Sequence, residues 1–229
     1  MCGRFFRHDV TWEDYHTALG LIVPEGVAPP EAAYNIAPTQ LVPIVRHVPE
    51  GDGPDTNARE LALAMWGLVP SWWHKPLKEK NFSTFNARAE TVASSNTFRG
   101  AFRHHRCLVP ASGYYEWTGA KGAKTPFAIG LSNRRWFCFA GLWDRAMIDG
   151  SEVDSFTILT TGANDATAGL HARMPVILHP RDHDRWLDGH TSEVGDLMAP
   201  FPPEDMQVWA VGRAVGNVRN QGPELAMEV

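Results

Sequence analysis

The sequence predicts an α+β fold: one domain over residues 1–229, built on a curved, mostly antiparallel β-sheet with a barrel-like core and short flanking helices. Three observations carry this. Strand-length apolar runs are numerous, helix-length periodic segments are few and short, and strands and helices do not alternate as parallel βαβ units require. No repeat, low-complexity tract or linker divides the chain, and 229 residues suffice to bury roughly 70% of the unfolded surface.

Taken in order, Cys2-Gly3-Arg4-Phe5-Phe6 reads as the start of a buried strand. Thr11-Trp12-Glu13-Asp14 places a capping threonine three residues before an acid, which predicts a helix to about Leu19, stopped by Gly20. Leu41–Arg46 and Leu61–Val69 alternate or run apolar like strands, and the acidic Gly/Pro segment Pro49–Asn57 between them predicts a surface loop. Leu108–Trp117 and Lys124–Gly130 flank Gly119-Ala120-Lys121-Gly122, a hairpin signature. Trp136–Asp144 and Ser155–Thr161 are two further strands, with a polar turn at Asp149–Asp154. Asp165–His171 and Pro180–Leu187 read as short helices around a strand at Val176–Leu178, and Gln207–Val211 is a late strand.

Composition narrows the function classes. Hydrophobic content of 44% and charged content of 21% are those of a soluble globular protein. No apolar run approaches the ~20 residues of a membrane helix, and no signal peptide precedes Cys2. Three cysteines at unrelated spacings (Cys2, Cys107, Cys138) speak against a disulfide framework and for a reducing cytosol, with Cys107 and Cys138 as buried packing residues. A net charge of −5 argues against indiscriminate nucleic-acid binding. The charge is uneven, however: residues 84–106 carry Arg88, Arg99, Arg103 and Arg106 against Glu90, whereas residues 182–229 carry nine acids against three arginines. A local basic surface on an acidic protein suits a selective polyanion site. No cofactor or metal is expected: there is no Gly-rich phosphate loop, and His179 and His183 are separated by a helix-opening Pro180 and lack a third ligand.

Cys2 is the most informative residue. Once Met1 is trimmed, it becomes a 1,2-aminothiol whose amine and thiol can both attack one aldehyde, giving an imine that closes to a thiazolidine. Reference pKa values of about 7.7–8.0 for the amine and about 8.5 for the thiol bring both near reactive form at neutrality. Taken alone, Met-Cys-Gly also fits an N-terminal-nucleophile hydrolase.

Further segments are polar or aromatic where a plain core strand would not be. They are Tyr34-Asn35-Ile36-Ala37-Pro38, Trp66-Gly67-Leu68-Val69-Pro70 followed by Trp72-Trp73, Asn86-Ala87-Arg88-Ala89-Glu90-Thr91, Gly113-Tyr114-Tyr115-Glu116-Trp117 and His171-Ala172-Arg173-Met174-Pro175. With Met1-Cys2-Gly3-Arg4-Phe5 and the tail Val215–Asn220, they make a chain that resembles the SOS-response-associated peptidase (SRAP) family, in family order from residue 1 to about 225. Gly216 stands where family members more often have Asn.

The resemblance implies a sensor and covalent shield of abasic sites in single-stranded DNA, with Cys2 as the crosslinking nucleophile. Glu116, a carboxyl among aromatics, would protonate the sugar ring oxygen as the ring opens. Asn86 would bind the sugar and hold the Cys2 amine, and His171 would shuttle protons. Arg4, Arg88 and Arg173 would contact phosphates on either side of the lesion; Asn35, Pro38 and Thr160 would line the DNA path; Trp72 and Trp73 would stack on bases, with one of the pair in the core. The resemblance also implies autoproteolytic Met1 removal, a weak strand-cleaving lyase activity, a monomer, and a cytoplasmic location on the nucleoid if the source is bacterial. The competing hydrolase reading, a peptidase with a Cys2–His171 dyad or a glutamine amidotransferase, would need a glutamine-carboxylate loop or a partner domain in the latter case, and the sequence displays neither.

Overall fold

A computed structural model describes residues 2–8, 10–21, 28–49, 58–120 and 122–229. In chain order it contains β1 (Phe5–Arg7), α1 (Trp12–Leu19), β2 (Ala33–Ile36), β3 (Leu41–His47), β4 (Arg59–Trp66), β5 (Asn86–Arg88), α2 (Arg99–His104), β6 (Arg106–Ala111), β7 (Gly113–Thr118) and β8 (Thr125–Leu131). There follow β9 (Phe137–Ile148), β10 (Ser151–Gly162), β11 (Arg173–Pro175), β12 (Ile177–Leu178), α3 (His183–Asp188) and β13 (Met206–Ala210), with short 3-10 turns between. One sheet runs β13-β8-β7-β1-β2; the other runs β11-β10-β4-β3-β6-β9-β12, with β5 beside β10. Long strand β9 also pairs with β10 from Ser151↔Ile148 to Ile158↔Gly141, so β10-β4-β3-β6-β9 closes as a small barrel. Pairing is antiparallel except where β10 meets β4 and β5. The expected α+β architecture is what the chain adopts.

Alternation along the barrel strands explains why so many of them are apolar on both faces. Val109, Phe139, Phe156 and Ile158 join Trp66, Phe5 and Tyr114 in one core, whereas Leu108, Ala140, Leu142 and Leu159 meet the helices through Tyr15, Leu19, Phe102 and Trp186 in the other. Helix α1 follows its capping signal: Thr11 Oγ1 accepts from Asp14 N at 3.1 Å, Asp14 accepts from Thr11 N at 2.8 Å, and Gly20 ends the helix at φ 65°.

Several boundaries differ from the sequence reading. The run Leu108–Trp117 is two strands, because Ser112 turns the chain from the barrel into the second sheet: its Oγ accepts from His8 N at 3.0 Å and donates to His8 O at 2.9 Å. Gly113 is required there, since a Cβ would lie 2.7 Å from Phe6 Cε1 and 2.8 Å from the Ile129 carbonyl. Asp165–His171 is a pair of hydrogen-bonded turns rather than a helix, pinned by Asn164, whose Oδ1 accepts from Thr167 N at 3.1 Å. Pro180–Leu187 splits into a 3-10 turn at Pro180–Asp182 and α3. The expected acidic loop lies mostly outside the described residues, as does Lys121 at the hairpin tip. Among the described residues no helix is long and apolar enough to cross a membrane.

His183 opens α3 and is 2% exposed, and burial lowers its pKa from 6.5 to about 4. The folded state therefore holds a neutral imidazole through a range in which the unfolded chain binds a proton. Its contribution is fully present above pH 6.5 and falls away as pH drops toward 4, by about 3 kcal/mol over the window. Urea titrations at pH 7 and pH 4.5 should show wild type losing more stability across that interval than His183→Leu; equal losses would place the pH sensitivity elsewhere.

Candidate active site

Strand β1 lies between two neighbours, with Phe5 opposite Ile36 of β2 on one side and Tyr114 of β7 on the other. Tyr115 N donates to Arg4 O at 2.9 Å and extends this ladder toward the terminus. Asn86, at the start of β5, then donates Nδ2 to the Cys2 backbone oxygen at 2.6 Å. The structure thus joins Asn86 to the Cys2 carbonyl, where the sequence reading placed it at the amine. The other end of its amide, Oδ1, is buried without a hydrogen-bond partner.

Cys2 is 0% exposed, and its thiol donates to the Arg4 carbonyl at 3.8 Å. Burial pushes the thiol pKa well up, and the charge of Glu116 adds to the shift. Burial thus works against the near-neutral thiol expected from reference values. Glu116 and Tyr114, two residues apart on β7 and so on one face, are 6% and 1% exposed and share the electrostatic neighbourhood of Cys2. Tyr115 between them faces the other way and donates its hydroxyl to Tyr34 O at 2.9 Å. His171 sits in the turn before β11, where Nδ1 lies 2.9 Å from Arg173 N and 3.2 Å from Arg173 O.

Strand β10 collects the cationic groups. Thr160 lies opposite Arg88 of β5 on one side and Pro175 of β11 on the other. Arg173 forks onto Glu90 at 2.6 and 2.9 Å and also reaches the Thr160 hydroxyl at 3.2 Å. Glu90 is held below the usual carboxylate range chiefly by that hydrogen bond. Thr160 is 0% exposed, which corrects its placement on a DNA path: it braces Arg173 instead. Arg88 is exposed.

Two other expected contacts are internal. Arg4 Nη1 donates to Asn35 Oδ1 at 2.6 Å and to Val215 O at 2.9 Å, and its guanidinium carbon lies 5.7 Å from the Trp117 ring centroid. Asn35 is 0% exposed and its Nδ2 serves the carbonyls of Val215, Asn217 and Asn220 at 3.3, 2.9 and 3.0 Å. That corrects Asn35 from a DNA contact to the clasp between the N-terminal strands and the tail. The clasp uses backbone oxygens, so Gly216 is accommodated. Arg106, counted with the basic cluster, is 8% exposed and donates to the carbonyls of Phe102, Trp186 and Gly189.

Pro38 is half-buried beside Thr39, which has φ 75°. Trp72 is 53% exposed; Trp73 is half-buried, 5.5 Å from the Phe82 ring, with Nε1 donating to Lys75 O at 2.7 Å. Among the described residues no three His, Cys, Asp or Glu side chains gather as metal ligands, and His179 packs on Phe201. Sequence reasoning missed three participants: Tyr114 beside Cys2, Glu90 as the clamp on Arg173, and the tail carbonyls. For Glu90 the signal was present, as an acid in the same segment as Asn86 and Arg88.

Comparison with known proteins places the chain in a family. A family described as SOS response associated peptidase (SRAP) matches residues 1–218. Abasic site processing protein YedK of Escherichia coli (strain K12) is 31% identical with all of both chains covered. YoqW of Bacillus subtilis (strain 168), also called an abasic site processing protein, is 31% identical over 98% of each chain. HMCES of Gallus gallus, of the same description, is 29% identical over 86% of this chain and 66% of its own. A crystal structure of a Bordetella bronchiseptica protein superposes with a TM-score of 0.76 at 26% identity, covering 92% of this chain and 100% of that one.

The contrast between clasp and surface can be measured. Asn35→Ala should cost about 2–4 kcal/mol in urea unfolding, because it strands several buried partners. Arg88→Ala should stay within about 0.5 kcal/mol of wild type. Comparable losses from both would mean that Asn35 is not a clasp.

Proposed function

The chain belongs to the SRAP family, and on that premise we propose that, after removal of Met1, it captures abasic sites in single-stranded DNA through a thiazolidine on Cys2. The relatives named abasic site processing proteins supply the substrate class. The observation that carries the reading is Cys2 itself, buried, tethered through its carbonyl by Asn86 and within the electrostatic reach of Glu116. A buried thiol within the electrostatic reach of a carboxylate suits a reaction in which sulfur gives up its proton only at the closing step.

The chemistry follows from the groups present. In its protonated form Glu116 gives a proton to the sugar ring oxygen as the hemiacetal opens, while the C1′ hydroxyl proton leaves to solvent, giving the C1′ aldehyde and a Glu116 carboxylate. The neutral Cys2 amine adds to C1′, one proton is taken up from solvent and water leaves, giving a protonated imine. Sulfur then adds to the same carbon: its lone pair forms the C–S bond, the C=N π pair returns to nitrogen, and the thiol proton passes to a carboxylate. His171 serves proton transfers at nitrogen and sulfur, including those that reopen the ring. Asn86 Oδ1, buried and unpartnered, suits a sugar hydroxyl.

Phosphates flanking the lesion bind Arg88 and Arg173, the latter exchanging Glu90 for phosphate oxygens. Trp72 offers an exposed stacking face for a base. The same imine permits slow strand cleavage, and the same thiol permits autocatalytic loss of Met1; both are minor activities of a monomer acting on chromosomal DNA.

Cys2→Ala leaves an amine that forms only a reversible imine, and an uncleaved N-terminal extension leaves a thiol without its amine. Each variant, incubated with an abasic single-stranded oligonucleotide, should bind it yet yield no heat-stable adduct on a denaturing gel. Full crosslinking by the extended protein would rule out the thiazolidine.

Glu116→Gln keeps the shape of the side chain but cannot transfer a proton. Adduct formation should slow by about 10²-fold, the usual contribution of a general acid. A wild-type rate from pH 5 to 8 would remove Glu116 from that role.

A further inference from the structure

Two adjacent tyrosines in the Gly113–Trp117 segment behave differently. The Tyr115 hydroxyl finds the Tyr34 carbonyl at 2.9 Å. The Tyr114 hydroxyl finds nothing: Tyr114 is 1% exposed, and its Oη is buried without a hydrogen-bond partner. A native core seldom leaves a hydroxyl so placed without a use. The ring itself is well held, packed edge-on to Phe139 at 6.1 Å within the core that also contains Cys2, Phe5 and Trp66.

The sulfur of Cys2 presents the complementary deficit. Its neighbour is the Arg4 carbonyl at 3.8 Å, an acceptor that welcomes S–H and repels a thiolate. One of the two Asn86 Nδ2 hydrogens goes to the Cys2 carbonyl at 2.6 Å. A thiolate formed here needs a hydrogen-bond donor, and the partner recorded for Sγ is an acceptor.

We propose that the Tyr114 hydroxyl is that donor, a catalytic residue that receives the Cys2 sulfur in a hydrogen bond as its proton departs and so enables closure of the imine. In the closing step the Sγ–H proton passes to the Glu116 carboxylate, sulfur bonds to the imine carbon, and the C=N electrons return to nitrogen. Tyr114 keeps its own proton throughout; burial and the charges of Cys2 and Glu116 hold the phenol well above its usual pKa, so it donates without ionising. This role rests on the crosslinking reading above, but its effect on the thiol does not require DNA.

Tyr114→Phe removes only the hydroxyl and should leave the melting temperature unchanged or raised, since no partner is stranded. In protein trimmed to Cys2, alkylation of that residue by iodoacetamide, followed by mass spectrometry of the N-terminal peptide across pH 6 to 10, reports the thiolate directly. The variant should react about tenfold more slowly at pH 8, with its profile moved to higher pH. With abasic single-stranded DNA, borohydride-reducible imine should form at the wild-type rate while heat-stable adduct appears about tenfold more slowly. An alkylation profile identical to wild type would overturn the proposal, as would equal slowing of imine and adduct. If wild type forms no adduct at all, the crosslinking reading fails, and the alkylation profile alone still decides for or against Tyr114.

Discussion

Chain termini fray because few contacts repay the entropy of ordering them, yet the chemistry inferred here needs an N-terminal residue held to within a fraction of an ångström. This fold meets that demand by making the first strand an interior one. β1 is hydrogen-bonded to β2 on one edge and β7 on the other, and Asn86 donates to the Cys2 carbonyl ahead of the first strand residue. Everything else at the site is arranged around that fixture. β10 carries the same logic to the far side: it pairs with β9, β4, β5 and β11 in turn, and so sets Asn86, Arg88 and Arg173 in one register.

The cleft trades reactivity at rest for control. A thiol in reference conditions is a few per cent ionised at neutral pH and open to any electrophile. Here burial, and after it the charge of Glu116, raise the Cys2 pKa and so favour the protonated thiol. The clamp of Glu90 on Arg173 works in the same sense. An arginine already satisfied by a carboxylate fork can take another anion only by exchange, which weakens its attraction for anions in general.

Much of this was legible in the sequence, for identifiable reasons. Strand number and the absence of βαβ alternation led to the α+β class, and the Thr11–Asp14 capping box and Gly20 delimited α1 almost to the residue. Cys2, Asn86 and Glu116 were singled out through the family resemblance, and the structure brings Asn86 onto the Cys2 carbonyl and the charge of Glu116 into the surroundings of the thiol. What failed did so where local pattern cannot see three-dimensional neighbours. Asn35, Thr160 and Arg106 read as polar surface groups, but each is buried and engaged by partners distant in sequence. Asp165–His171 had helical composition, but the backbone makes only successive turns there, closed by Thr167 N to Asn164 O and Leu170 N to Thr167 O. The break at Ser112 was invisible because β6 and β7 are both apolar and contiguous.

The clasp at Asn35 joins parts of the chain that are made at very different times. Arg4 and Val215 are separated by 211 residues, and Asn35 and Asn220 by 185. During synthesis Arg4 and Asn35 leave the ribosome long before residues 215–220 and wait without their partners until that segment emerges. Completion of the clasp is thereby ordered by the direction of translation, with the later-made segment acting as the latch.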